Sequence, residues 1–268
     1  MQTLQIANAG AVLAVTTQGQ GAPVVFLHAN VCDSGMWEAE LAATARTHLA
    51  VAYDRRGHGQ SRAGAEDYSA VGDLLAVLDA TAGPAPATLV ACSGGARIAV
   101  DTALRHPKRV RSLVLVSPTI SGAPPPDYPE PVLARMNALK QAEAAGDIEA
   151  INRIKAHLFL DGPLQPEGRV GGAVRERFLA MHRRILLGPR AGTDMDAEPA
   201  WPQLGKLEAP TLVIWGEYDF PHIQARARAL VQGLPRAQGH ALRQAAHLPG
   251  LEQPAESAAL ITGFLHAD

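Results

Sequence analysis

Aromatic residues make up only 4% of this 268-residue chain, so Leu, Val, Ile and Ala must fill its core. Cysteine is nearly absent. Cys32 and Cys92 are too few for a disulfide framework, and the chain has no CxxC pair or Cys/His cluster that would suggest a metal. Neither sign of charge dominates. The 24 Lys and Arg face 26 Asp and Glu, for a net charge of −2, which gives no basic field to hold nucleic acid or an anionic membrane. No stretch approaches the roughly 20 apolar residues that span a bilayer. Met1–Gly21 has no Lys or Arg and no sustained apolar block, so a signal peptide is not expected. These absences leave a soluble, cytoplasmic protein with a small-molecule partner as the default.

At 47% hydrophobic and 19% charged, the chain can bury a large core. Its first half alternates strand and helix patterns. Ala11–Thr16 reads as a modest strand, and Pro23–His28, Leu49–Asp54, Thr88–Cys92 and Ser112–Ser117 are apolar runs suited to strands covered on both faces. Leu212–Trp215 repeats this pattern much later. Helical patterns cover Ser34–His48, Tyr68–Ala82 and Gly94–Arg105. The expected fold is α/β, a mostly parallel doubly wound sheet. From Pro118 to Leu207 only proline-rich turns and helical stretches, Pro131–Ala145 and Ala173–Leu187, are read. Such a block is too long for a plain loop. Because strands resume at Thr211, it is expected to be an inserted helical cap over 118–207, with 1–117 and 208–268 forming the core domain.

Leu89–Ala96 reads Leu-Val-Ala-Cys-Ser-Gly-Gly-Ala, a buried strand, then a serine among small residues, then a helix. A nucleophile on a sharp strand-to-helix turn needs such neighbours. Ser93 has Ala91 two before and Gly95 two after, so alanine replaces the first glycine of G-x-S-x-G. The rival Cys92 would put the bulkier Val90 at the leading small position. The plain alternative is that Ser93 only caps the helix. The first N–H groups of that helix carry partial positive charge, so the amide of Gly94 can face an oxyanion.

Further pieces occur in order: His28-Ala29 before a turn ending in Met36-Trp37; Tyr53-Asp-Arg-Arg-Gly-His-Gly-Gln-Ser61; His106-Pro107 closing the helix after Ser93; Pro210-Thr-Leu-Val-Ile-Trp-Gly-Glu-Tyr-Asp219; and Ala246-His-Leu-Pro-Gly-Leu-Glu-Gln-Pro254. In this order the chain resembles the α/β-hydrolase superfamily, and within it the 3-oxoadipate enol-lactonases and related small esterases. The resemblance implies that Asn30, after the His28-Ala29 pair, supplies the second oxyanion amide. It also implies that His28 and His58 are structural. Among ten histidines, His247 lies in a turn after the last strand pattern and matches the family's Gly-His-Leu-Pro. Asp219, beyond a strand end, fits the acid that orients the imidazole, with Glu217 as near rival. The order Ser93, Asp219, His247 is the one this fold uses.

The expected reaction is hydrolysis of a small ester or lactone through an acyl-enzyme, without metal or organic cofactor. Carbon–carbon hydrolysis or perhydrolysis with the same residues, and a low-turnover receptor, are the alternatives. Six cap arginines, Arg169, Arg175, Arg177, Arg183, Arg184 and Arg190, are expected to form a solvated face, the other reading being that one binds a substrate carboxylate. Trp37, His182 and Trp201 are candidate pocket residues.

Overall fold

The computed structural model describes residues 1–196 and 198–267. Nine strands form one sheet: β1 (Gln2–Asn8), β2 (Ala11–Gln18), β3 (Pro23–Leu27), β4 (Leu49–Tyr53), β5 (Arg62–Ala63), β6 (Ala87–Cys92), β7 (Val110–Val116), β8 (Thr211–Gly216) and β9 (Ala237–Leu242). Their order is β1-β2-β4-β3-β6-β7-β8-β9, with β5 on β2. All pairings from β4 to β9 are parallel, and those of β2 are antiparallel. The helices are α1 (Glu38–Thr44), α2 (Ala70–Ala82), α3 (Gly94–Arg105), α4 (Glu130–Ala145), α5 (Ile148–Ala156), α6 (Gly172–Leu187), α7 (Pro221–Gly233), α8 (Pro249–Glu252) and α9 (Pro254–Ala267).

The continuous apolar runs are strands because both faces of the sheet are covered. Alternate residues of β6 divide between two cores. Leu89 and Ala91 pack with α2, α3 and α7 through Leu74, Ala99 and Leu230. Val90 and Cys92 pack with α1 and α9 through Leu41 and Ile261. Each fully buried Leu, Val or Ile contributes about 1.5–3 kcal/mol, so aliphatic side chains hold the sheet with few rings.

No strand pattern announced β1. Its residues are mostly exposed, and it forms because Ala9 and Gly10, at φ 41° and 78°, make a two-residue turn that pairs Asn8 with Ala11. The expected helix over Ser34–His48 divides into a 3₁₀ turn at Ser34–Trp37 and the shorter α1. Between β7 and β8 the chain runs through α4, α5, a π-helical turn at His157–Asp161 and α6. Val132, Leu139, Ile151 and Leu158 of this stretch pack on Phe220 and Ile223 at the start of α7. No helix among the described residues is long and apolar enough to cross a membrane.

The strand order reverses at β3. The chain passes to β4 on one side, then returns to lay β6 on the other. In parallel sheets the crevice beyond the carboxyl ends of such strands is the natural ligand site. Asn30 follows β3, and Ser93 follows β6. Asp219 and His247 follow β8 and β9, completing a row on one edge of the sheet.

Candidate active site

Ser93 sits at φ 53°, ψ −116°, a left-handed backbone conformation that a residue with a Cβ adopts at a cost. Its neighbours make the turn feasible. A Cβ on Gly95 would lie 2.7 Å from the carbonyl oxygen of Leu27 and 2.9 Å from that of His28, so α3 approaches β3 only because residue 95 is glycine. The backbone N–H of Ser93 donates to Val116 O at 3.0 Å, tying the turn to β7. Its hydroxyl makes no capping hydrogen bond to α3, which removes the capping alternative. Ala91 stands where glycine is usual and is fully buried within β6.

Gly94 begins α3, so its amide has no partner within the helix. Asn30 lies against it: a Cβ on residue 94 would fall 2.1 Å from Asn30 Oδ1. That oxygen accepts from Arg55 Nη2 at 2.8 Å, so the Asn30 side chain is held to the protein. Ala29, the other alanine for glycine, does not adopt positive φ and is fully buried. The substitution therefore leaves the loop unstrained at that residue.

His247 Nδ1 donates to Asp219 Oδ1 at 2.8 Å, with both side chains buried. The same oxygen accepts from the Phe220 amide at 2.7 Å. The rings of Phe159 and Phe220 stand edge-on to the imidazole, at centroid distances of 5.1 and 6.0 Å. His247 Nε2 is buried without a hydrogen-bond partner, which leaves it open to take a proton. The His247 backbone N–H donates to Phe159 O at 3.2 Å. Glu252 accepts from the Ala246 amide and pairs with Arg169, fixing the loop from behind. Glu217 is exposed.

The competing groups have other partners. His28 accepts the Arg55 amide on Nε2 at 3.0 Å and donates from Nδ1 to Ala29 O at 2.8 Å. His58 lies between Arg56 O and Asn30 O, and burial lowers its pKa to about 4. Cys92 is wholly buried on the far side of the elbow, and desolvation pushes its thiol well up, against thiolate formation.

Ser93, His247 and Asn30 line one cavity of about 330 Å³, at the lower end of the range for small-molecule sites. Its other walls come from Tyr128 and Met136 at α4, Lys155 of α5, Phe159, and Phe220, His222 and Arg226 at α7. None of the three expected pocket residues is among them. Trp37 is fully buried against Phe26. His182 is buried, stacked on Phe178 and bonded to Asn152 Oδ1 at 2.9 Å. Trp201 packs at the edge of the α2–α3–α7 core. Size and ring character suggested all three, but equally suit a core with few aromatics.

The six arginines between positions 169 and 190 do not line the cavity either. Arg169, Arg175, Arg177, Arg183 and Arg184 pair with Glu252, Asp161, Glu38, Glu149 and Asp33. No sequence signal marked Lys155, His222 or Arg226, because their shared cavity joins helices more than sixty residues apart. His222 is a second imidazole in the cavity but has no carboxylate partner. Desolvation and the nearby Arg226 lower its pKa to about 4.

Known proteins resemble this chain over most of its length. A pimeloyl-[acyl-carrier protein] methyl ester esterase of Chromobacterium violaceum is 31% identical over 251 residues, covering 89% of this chain and 92% of that one. A 2-hydroxymuconate semialdehyde hydrolase of Pseudomonas putida is 29% identical, covering 92% and 88%. A solved structure of an N-acyl homoserine lactone degrading enzyme superposes with a TM-score of 0.75 at 28% identity, covering 97% of this chain and all of that one. The model of the alpha/beta hydrolase family matches residues 24–260, and the chain belongs to that family.

Proposed function

We propose that the chain is a serine hydrolase that cleaves a small carboxylic ester or lactone through an acyl-enzyme on Ser93. One observation carries this reading: the left-handed Ser93 turn opens onto the same cavity as an imidazole already held by Asp219. His247 Nε2 takes the hydroxyl proton as Ser93 Oγ attacks the carbonyl carbon. The resulting oxyanion is held by the amides of Asn30 and Gly94. Collapse of the tetrahedral intermediate expels the alkoxide, which takes the proton from His247. Water then attacks the acyl carbonyl, His247 accepts its proton, and acid and free Ser93 are released.

The test is labelling by a fluorophosphonate probe with peptide mapping, beside a panel of short p-nitrophenyl esters and lactones. Ser93 is expected to carry the label. Ser93→Ala is expected to lose both the label and roughly 10⁴- to 10⁶-fold in kcat. Ester turnover in Ser93→Ala equal to the parent would overturn the proposal. The similarity to the Pseudomonas putida hydrolase favours a second reading, carbon–carbon hydrolysis by the same residues. It is tested by adding a vinylogous 1,5-diketone to the panel.

A further inference from the structure

The loop that presents His247 is held residue by residue. The Gln244 carbonyl accepts from Arg169 Nη1 at 2.7 Å, and the Ala245 carbonyl accepts from the Tyr218 amide at 2.9 Å. The Ala246 amide donates to both carboxylate oxygens of Glu252, at 2.8 and 3.0 Å. The His247 amide donates to the Phe159 carbonyl at 3.2 Å. Gln244 sits at φ 59°, a left-handed conformation that persists only where its surroundings enforce it.

One side chain bears on all four positions. Arg169 Nη2 donates to Glu252 and, at 2.8 Å, to the Leu160 carbonyl, while Nε donates to the Asp161 carbonyl at 2.5 Å. With the bond to Gln244, four hydrogen bonds draw on a five-donor fork. The guanidinium also lies over the Tyr218 ring, 5.2 Å from its centroid. Arg169 therefore acts directly at 244, through Tyr218 at 245, through Glu252 at 246, and through the turn containing Phe159 at 247. The segment that carries it is anchored in turn. Buried Asp161 accepts from the Gly168 amide at 2.8 Å, the Val170 amide at 2.9 Å and Arg175 Nη1 at 2.8 Å. Arg169 does not line the Ser93 cavity, so it reaches the chemistry only through the backbone it holds.

We propose that Arg169 is a positioning residue for the base: clamped between the His157–Asp161 turn, the 244–247 loop and Glu252, it sets where the His247 imidazole stands relative to Ser93. The inference rests on the Ser93 reading and adds to it a group outside the cavity. Removing the fork frees acceptors on three segments at once and leaves the buried Glu252 carboxylate without its cation. The Gln244 turn and the Ala246 amide then both lose their hold, and a displacement of about 1 Å at a reacting group costs up to roughly 10²-fold in rate. A lysine keeps a charge opposite Glu252, but its donors share a single atom and cannot span the three segments.

The rate at which a fluorophosphonate labels Ser93 reads the readiness of His247, because the attacking hydroxyl must give up its proton. In Arg169→Lys the label is expected to reach completion, with labelling rate and kcat both about tenfold lower and KM within about twofold of the parent. Arg169→Met is expected to lose roughly 10²-fold in both rates. Adding Glu252→Gln to Arg169→Met should cost less than about twofold more, because both changes act at Ala246. A merely structural role would lower Tm and the labelled fraction and leave the rate per active chain unchanged. Proton NMR of the His247 Nδ1–H, hydrogen-bonded to Asp219, supplies a readout that needs no turnover. This signal is expected to shift, and to exchange faster with water, in both variants. Arg169→Lys carries the test alone if Arg169→Met loses its thermal transition.

A loss confined to KM or to the labelled fraction overturns the positioning role. If Ser93 of the parent takes the label and Arg169→Lys is labelled at the parent rate, the positioning role falls and the acyl-enzyme reading stands. If Ser93 of the parent takes no label but the imidazole signal moves in Arg169→Lys, the acyl-enzyme reading falls and the positioning of His247 by Arg169 stands.

Discussion

Asp219 Oδ1 accepts two hydrogen bonds, from His247 Nδ1 at 2.8 Å and from the Phe220 amide at 2.7 Å, while its Oδ2 is buried with no partner. One oxygen therefore fixes both the imidazole and the turn that carries the acid. In Asp219→Asn a carboxamide oxygen in place of Oδ1 can keep both bonds, but the neutral side chain no longer stabilises the imidazolium and its NH₂ lies buried without a partner where Oδ2 now is. If the amide instead flips, its NH₂ faces Nδ1 and favours the tautomer in which Nε2 carries the proton, unable to accept one. The expected loss in kcat is about 10⁴-fold, with the fold retained by circular dichroism. Activity of Asp219→Asn within tenfold of the parent would remove Asp219 from the relay.

Gly95 faces carbonyl oxygens of Leu27 and His28 at distances no Cβ tolerates. Gly95→Ala must push α3 off β3 and is expected to destabilise by about 1–3 kcal/mol, read as a lower Tm. Activity should fall further than stability explains, because Ser93 and Asn30 flank the displaced contact. Gly263, inside α9 with open space around it, is the control. Gly263→Ala is expected to raise stability by about 0.5–1 kcal/mol.

Arg55 Nη2 holds Asn30 Oδ1 at 2.8 Å, and the Asn30 side chain abuts Gly94. Arg55→Met is expected to loosen the Asn30 and Gly94 amides and, if these hold the oxyanion as proposed, to lower kcat roughly tenfold, less than the 10²- to 10³-fold for deleting a donor outright. KM should move little. A change confined to KM would show that Arg55 acts on substrate binding instead.

Glu40 is fully buried, and burial raises its pKa to about 7 against the opposing effect of the Ser257 hydroxyl beside its carboxyl. Because the folded-state value lies above the ordinary 4.5, the folded protein keeps a proton that the unfolded chain releases. Stability from this group is therefore full below pH 4.5 and declines as pH rises towards 7, staying low above it. Glu40→Gln is expected to match the parent Tm at pH 4 and exceed it by several degrees at pH 8. Glu252, also raised to about 7 by burial, leaves a residual slope in both proteins. Identical Tm curves would refute the assignment to Glu40.

The strands around the site were legible because both sheet faces are covered, leaving apolar runs in β3, β6, β7 and β8. The α3 boundaries, Gly94–Arg105, were legible from the small residues before it and the His106-Pro107 after it. Positions 93, 219 and 247 each follow a strand, so strand order alone puts them on one edge. The pocket was not legible. Lys155, His222 and Arg226 meet through packing of α4 and α5 on α7, a contact with no local signature. Trp37 and His182 illustrate the converse: a large ring is as useful to a core short of aromatics as to a cavity wall. The α7 helix went unread too, although Pro221 at its first turn, directly after Asp219-Phe220, is a start signal of the usual kind.

The carbonyl of Phe159 tethers the backbone of His247, and Phe159 belongs to the π-helical turn at His157–Asp161, outside the sheet. The cavity wall at Phe159 and the imidazole of His247 are thus mechanically one unit. Any displacement of this turn would release an anchor of the imidazole, and a ligand that favours the seated turn would favour a seated imidazole by the same free energy.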